Sequence, residues 1–414
     1  MKEPIVSHIF ENGLALLAEP LDSLASAAFS VLLPAGAAGD PADRSGLASF
    51  VCEMTVRGCG SRDSRQLVRD LENLGVERGE GVSASHASYS GATLAKNLIP
   101  ALEIYADILQ RPHFPEQELE PVRQVLLQEL RAIDDEPSQK AMLELRRHVY
   151  GEPWGRPSCG DADHLEAVTQ EDVRSWFDTR YRPNGTIIGV AGRVDWPRLK
   201  DAVGRLFGQW QPAKYPAPAS DRPLARLRHI DQESNQTQVA IGYESVPYRH
   251  PDYFQASGAV GVLSGGMSAR LFSEVREKRG LCYSVYASYH TLKDRGSVLC
   301  YAGASADRAQ ETLDVTLGEL TRLAEGIRPE ELARLKARVK SNLIMQQESS
   351  SARSSAIARD WHHLGRARTR DEMSSLVDAL SCESINHYLA EHPPRDFTIV
   401  TLGPQALETP VGIS

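Results

Sequence analysis

Three side chains that could take part in acid–base or metal chemistry lie close together near residue 50. Ser49, Cys52 and Glu53 stand at i, i+3 and i+4, beside an apolar stripe of helical period that begins at Leu47. The three therefore share one face of a predicted helix. Thiolates and carboxylates can bind metal ions, and a carboxylate can also act as a general base.

A second carboxylate lies in an unusual place on a longer predicted helix. Glu129 comes three residues after Leu126 and four after Val125, at the margin of that helix's apolar stripe. A carboxylate there is costly unless it is paired or hydrated, so it would mark a cleft. The structural alternative is an ion pair with Arg123 or Arg131.

These residues lie on elements typical of an α+β fold. Apolar periodicity predicts helices over 45–56, 65–74, 98–110 and 115–134, with a further helix after Pro137. Alternation predicts strands over 14–18, 27–33 and 83–93. Strands separated by pairs of helices favour mostly antiparallel sheets with helices packed on them.

The pattern also occurs twice. Residues 89–92 (Tyr-Ser-Gly-Ala) recur as 301–304 (Tyr-Ala-Gly-Ala), an offset of 301 − 89 = 212, and four further echoes follow in the same order. Two homologous halves are therefore predicted. The stretch 211–220 between them is rich in proline and alanine, which favours a stiff extended linker. The predicted division is an N-terminal domain over 1–211, a linker over 212–224 and a C-terminal domain over 225–414.

Composition excludes several classes of function. The chain of 414 residues has 46 Lys and Arg against 55 Asp and Glu, a net charge of −9, which disfavours nucleic-acid binding. No apolar stretch approaches the length of a membrane span, and the N-terminus lacks the apolar core of a secretion signal. Six cysteines without CxxC pairing indicate reduced thiols. We therefore expect a cytoplasmic protein.

Residues 46–54 (Gly-Leu-Ala-Ser-Phe-Val-Cys-Glu-Met) resemble the zinc helix of the pitrilysin/insulinase-type (inverzincin) metallopeptidases, which include mitochondrial processing peptidase and two-subunit bacterial relatives. That helix carries HxxEH, in which two histidines bind zinc and the glutamate acts as base. The family's third ligand is a glutamate about 76 residues further on. Glu129 matches it, since 129 − 53 = 76.

The departure from this motif predicts a degenerate zinc site. Ser49, Cys52 and Glu53 stand where the family has His, Glu and His. Serine is a poor zinc ligand, and cysteine does not replace glutamate as a proton shuttle. No other histidine pair replaces the motif: His387 and His392 come nearest, but five residues place them about 140° apart around a helix. We therefore expect no metal in this chain.

A second signature of the same family is intact. Residues 276–283 (Arg-Glu-Lys-Arg-Gly-Leu-Cys-Tyr) match R-E-x-R-G-L-x-Y and follow a glycine-rich loop at Gly265 and Gly266. The resemblance implies that Arg276 and Tyr283 project into a zinc site, the guanidinium holding a substrate carbonyl or carboxylate and the phenol donating to an oxyanion. Gly265 and Gly266 themselves are interpreted as a tight turn, with peptide contact as a secondary role.

Together the two signatures imply a division of labour between subunits. The chain resembles the non-zinc subunit of a heterodimer whose HxxEH-bearing paralogue holds zinc, with an extended peptide as substrate. It is therefore expected to be inactive alone. Two alternatives remain: a catalytically inert scaffold, and a self-sufficient hydrolase with an atypical metal site made of Cys52, Glu53 and Glu129.

Overall fold

The computed structural model describes residues 5–217, 222–346 and 348–408. Part of the predicted linker, residues 218–221, lies outside the described residues, and 211–217 contain neither helix nor strand. Within the described ranges, no helix is both long and apolar enough to cross a membrane.

The described ranges contain thirteen strands and fourteen α-helices. The strands are β1 (Val6–Ile9), β2 (Ala15–Pro20), β3 (Ser26–Leu33), β4 (Gly58–Cys59), β5 (Arg62–Asp63), β6 (Glu77–Val82), β7 (Ala87–Leu94), β8 (Ile187–Gly192), β9 (Leu227–Asp231), β10 (Gln236–Ser245), β11 (Cys282–Thr291), β12 (Gly296–Ser305) and β13 (Thr398–Gly403). The helices are α1 (Leu47–Thr55), α2 (Ser64–Asn73), α3 (Leu98–Gln110), α4 (Leu119–Asp134), α5 (Pro137–Tyr150), α6 (Ala162–Glu166), α7 (Gln170–Arg180), α8 (Trp196–Phe207), α9 (Tyr253–Ser264), α10 (Ala309–Arg322), α11 (Pro329–Gln346), α12 (Ser350–Leu364), α13 (Arg370–Ala379) and α14 (Cys382–Glu391).

The two larger sheets repeat one topology. The first has the order β1-β2-β8-β3-β7-β6 and the second, read from its other end, β9-β13-β10-β12-β11. In each sheet one pair is parallel, β2 with β8 and β9 with β13, and the other pairs are antiparallel. The first sheet adds only the edge strand β1. This repetition confirms the predicted α+β fold with two homologous halves.

The chain forms two compact units, and each contains a piece of the other half. Within the described ranges, the first unit consists of 5–131, 156–217 and 344–369, and the second of 132–155, 222–343 and 370–408. The predicted division at the linker follows the sequence repeat, whereas the compact units are discontinuous along the chain.

The exchanged pieces are helices that cover a sheet face. In the second unit, α5 packs on β10, β12 and β13, and in the first unit α12 packs on β2, β3 and β8. Both helices seat closely on a glycine. A Cβ at Gly242 of β10 would come within 2.5 Å of the Val149 side chain on α5, and one at Gly189 of β8 within 2.5 Å of the Ser354 carbonyl oxygen on α12.

Most predicted elements appear within a few residues of their expected bounds, and α3 coincides with its prediction. The predicted strand over 83–93 begins later, at Ala87, because Ser83 and His86 close a turn through backbone and hydroxyl hydrogen bonds. The residues before this turn form β6, which the apolar pattern did not indicate.

Candidate functional site

The N-terminal end of helix α1 is bound by a buried carboxylate that lies earlier in the chain. Asp40 accepts hydrogen bonds from the backbone N–H groups of Gly46 and Ala48, both at 2.9 Å. Burial raises the pKa of Asp40 to about 7, opposed by these two hydrogen bonds and by Arg156 and Arg180. An acceptor at the first turn satisfies N–H groups that the helix leaves unpaired, so Asp40 fixes the position of α1.

Ser49 uses its hydroxyl for a structural contact. Its Oγ donates a 2.6 Å hydrogen bond to the carbonyl oxygen of Ser158. This bond holds the face of α1 against the loop before α6.

Cys52 is a buried thiol. Its side chain is 3% exposed, and burial raises its pKa to about 12, with a smaller upward contribution from the charges of Glu53 and Glu80 and an opposing hydrogen bond from Tyr89. Thiolates, not thiols, bind zinc and attack electrophiles. At neutral pH Cys52 is therefore a protonated packing residue.

Glu53 is close enough to two other carboxylates to interact with them electrostatically. Burial and the charge of Glu53 raise the pKa of Glu129 on α4. Burial, together with Glu53, also raises the pKa of Glu80 on β6, against the opposing charge of Arg78, which donates to it at 3.2 Å. Glu53 itself pairs with Arg57 at 3.4 Å. The structure thus places Cys52, Glu53 and Glu129 in one region, as the motif spacing implies.

Glu80 is the residue of this region that the sequence reasoning missed. It lies in the run Arg78-Gly79-Glu80-Gly81, where charged and small residues alternate. That alternation is the available signal for a strand, but it lacks the apolar residues by which periodicity identifies strands.

This donor set does not fit a catalytic zinc ion. A catalytic site needs three protein ligands and an open position, whereas here the Ser49 hydroxyl donates to a carbonyl oxygen and the Cys52 side chain is only 3% exposed. Within the described ranges, α1 and α4 provide no three His, Cys, Asp or Glu ligand atoms that all lie within 4.8 Å of one another. No catalytic step on a metal follows from this region.

Arg276 lies in a π-helical turn over Phe272–Glu277. The Lys278 N–H donates to the carbonyl oxygen of Ser273, five residues earlier, which is the hydrogen bond of a π-helix. Such π turns often occur at functional sites. The guanidinium carbon lies 4.8 Å from the Phe272 ring centre and 4.9 Å from that of Tyr283. Among the described residues of its unit, no carboxylate forms an ion pair with Arg276. Two aromatic faces therefore hold its position while its N–H groups keep their donor capacity.

Tyr283 is the extra residue of a β-bulge. Cys282 pairs with Ala304 and Ser284 with Gly303, so Tyr283 has no partner opposite it on β12. Bulges redirect side chains and are common beside active sites. The Tyr283 side chain is 83% exposed, whereas its neighbours Leu281 and Cys282 are buried. The bulge therefore presents the phenol to solvent next to Arg276.

Gly265 and Gly266 end α9 and begin the glycine-rich loop. A Cβ on Gly265 would come within 2.2 Å of the Gly261 carbonyl oxygen and 2.3 Å of Arg338. Gly266 has φ +141° with open space around it, a conformation that favours glycine. A cavity of about 180 Å³ lies beside this loop and is lined by Glu331, Arg334 and Arg338 among others. Both glycines are explained by the turn.

Two family models match the chain over most of its length. The family model described as "Insulinase (Peptidase family M16)" matches residues 17–161, and that described as "Peptidase M16 inactive domain" matches residues 167–339. The chain belongs to the M16 insulinase-type peptidase family.

Relatives that resemble the chain over nearly its full length include bacterial proteins described as uncharacterized zinc proteases. One from Rickettsia felis is 27% identical and covers 93% of this chain and 94% of its own length. The zinc protease YmxG of Bacillus subtilis is 26% identical, covering 95% of this chain and 97% of its own.

Solved structures share the fold. An M16 inactive domain from Pseudomonas fluorescens superposes with a TM-score of 0.89 at 22% identity, covering 99% of this chain and all of that one. A protease from Helicobacter pylori gives 0.88 at 21% identity, covering 98% and 100%.

Proposed function

We propose that this chain is the non-zinc subunit of a heterodimeric M16-type peptidase, contributing Arg276 and Tyr283 to the hydrolysis of extended peptides. One observation carries the proposal. The donors at the zinc-motif positions are engaged or protonated, while the Arg276 and Tyr283 side chains keep their polar atoms available.

The pair has the chemistry needed to bind a peptide carbonyl. A guanidinium presents five N–H donors in a fixed planar arrangement, and the aromatic rings limit its movement. The Tyr283 hydroxyl can donate to the oxygen that becomes negative during attack on the carbonyl. Donors that are positioned in advance stabilise that charge more than the ground state, which is how they accelerate the reaction.

Strand β11 supports an extended substrate. It lies at the edge of its sheet and, among the residues that the structure describes, pairs only with β12. Its outer edge can therefore hydrogen-bond an added strand, and the exposed side chain of Tyr283 lies on this edge strand. An extended peptide bound there would pass beside the Tyr283 phenol.

The zinc ion and the general base are assigned to a paralogous partner that carries HxxEH. Zinc bound to that partner would polarise the carbonyl and lower the pKa of bound water. This chain supplies peptide binding and the donors of Arg276 and Tyr283. Copurification of an HxxEH-bearing chain would supply the partner for the assay.

The test is to reconstitute the pair and compare variants in cleavage of an extended fluorogenic peptide. We expect Tyr283→Phe to lower kcat by roughly 10²–10³-fold, the usual effect of losing one oxyanion donor. Arg276→Ala should lower kcat/KM as well. Tyr286→Phe, on the same strand and 40% exposed, is the matched control and should retain activity. Unchanged turnover in both Arg276→Ala and Tyr283→Phe would refute the proposal.

A catalytically inert scaffold is the second candidate, favoured by the same loss of donors on α1. A purified pair that forms but cleaves no peptide would support it. A self-sufficient hydrolase built on Cys52 is disfavoured by the buried, protonated thiol.

A further inference from the structure

We propose that His250, Asp252 and His392 form a binding site for one divalent transition-metal ion of the Zn²⁺ class. Each residue offers one ligand atom, and the three atoms all lie within 4.8 Å of one another. Ligands of a tetrahedral ion with bonds of about 2.0–2.1 Å lie about 3.4 Å apart. Side-chain movements of roughly 1 Å would therefore bring the three ligand atoms to the distances that a bound ion requires.

The three residues lie at two helix ends in the second unit. His250 and Asp252 precede α9, with Asp252 directly before its first residue, and His392 directly follows the last residue of α14. The Asp252 side chain makes no capping hydrogen bond. The carbonyl end of α14 carries a partial negative charge that favours a cation at His392.

The ring of His250 faces the backbone and the carboxylate of Asp252. Its Nδ1 accepts a long hydrogen bond from the Asp252 backbone N–H at 3.2 Å, which engages the lone pair of that nitrogen. The same Nδ1 lies 3.7 Å from the Asp252 carboxylate. A metal ion bound to Nδ1 and to the carboxylate would displace this one long hydrogen bond and form two coordinate bonds in its place.

His392 is held beside this pair by aromatic contacts. Its ring lies 5.2 Å from that of the buried Tyr388 and 5.8 Å from that of His250, almost perpendicular to the latter. Two imidazoles and a carboxylate, brought together at the ends of two helices, make a borderline-soft donor set that suits zinc, with a fourth position for water.

The surrounding charges leave Asp252 available. Among the described residues of its unit, no lysine or arginine pairs with this carboxylate. The adjacent Arg249 instead pairs with Asp294 at 2.7 Å. No basic group therefore competes with a cation at the carboxylate.

The site could not be found from sequence spacing. His387 and His392 are unsuited to clamp one ion, and in the structure His387 pairs with Glu391 at 3.4 Å. The partner of His392 is His250, 392 − 250 = 142 residues earlier, and only the packing of α14 on α9 brings them together.

The test uses the full-length chain without a histidine tag, freed of metal by a chelator and titrated with Zn²⁺ alone by calorimetry. We expect one saturable site per chain. His250→Ala and His392→Ala should each weaken its affinity at least tenfold, and Asp252→Asn should weaken it while leaving the helix boundary intact. His387→Ala is the matched control on the same helix and should bind Zn²⁺ as the unaltered chain does.

Binding of Co²⁺ gives an independent readout, because four-coordinate Co²⁺ absorbs strongly in the visible region. The expected absorbance is lost in His250→Ala and His392→Ala variants whose circular dichroism matches that of the unaltered protein. Equal Zn²⁺ affinity in the unaltered chain and these two variants, or no saturable binding at all, would overturn the proposal. Neither readout depends on peptidase activity.

Discussion

Cys52 should resist alkylation in the native protein. At pH 8 a thiol of pKa about 12 is ionised to about one part in 10⁴, against about one part in 10 for a thiol of pKa 9.0. Thiolates of higher pKa are better nucleophiles, by about 16- to 30-fold over three pKa units. The smaller ionised fraction, partly offset by this higher nucleophilicity, therefore slows the alkylation of Cys52 by about 30- to 60-fold. Its 3% exposure slows the reaction further.

The assay is timed treatment with iodoacetamide followed by mass spectrometry of the cysteine peptides. Cys382, which is half-buried, is the reference within the same chain. In urea, Cys52 should react as readily as Cys382, which separates the effect of the fold from that of local sequence. Native Cys52 that reacts as fast as Cys382 would refute the reasoning and reopen its roles as nucleophile and metal ligand.

Two further predictions concern stability. Gly189→Ala should lower the free energy of unfolding by about 1–3 kcal/mol, because the new Cβ would meet the backbone of α12 and force that helix outward. Urea denaturation measures this change. The control is Gly318→Ala on α10, which has open space around it and should be neutral or stabilising. Glu129→Gln should raise the thermal midpoint at pH 8. The pKa of Glu129 is raised in the folded state, so its charged form destabilises the fold above that pKa. The increase in thermal midpoint caused by the substitution should therefore shrink as the pH falls towards 4.5. An increase that grows in acid would contradict this.

Much of the fold is visible in the sequence because local patterns determine it. The apolar stripe beginning at Leu47 corresponds to α1, and the predicted helix over 98–110 coincides with α3. The repeat between residues 89–92 and 301–304 corresponds to equivalent strands, β7 and β12, in the two sheets. The family resemblance rests on these same local patterns.

The remaining features depend on contacts between distant residues, which periodicity does not encode. The apolar face of α5 predicts burial but does not say which sheet covers it. Glu80 was missed because a strand of charged residues and glycines lacks the apolar alternation that identifies strands. The bulge at Tyr283 depends on how β11 pairs with β12, so only the structure explains why this tyrosine is exposed directly after the buried Leu281 and Cys282.

The exchange of α5 and α12 makes the two halves of the chain mutually dependent for folding. Met142 and Leu145 on α5 pack on the second sheet, and Ile357 on α12 packs on the first. When only the first half of the chain has left the ribosome, the helix that covers the first sheet, α12, has not yet been synthesised. Completion of both cores therefore waits for the C-terminal third of the chain. A proteolytic nick between the halves would likewise leave fragments that each lack a lining helix supplied by the other.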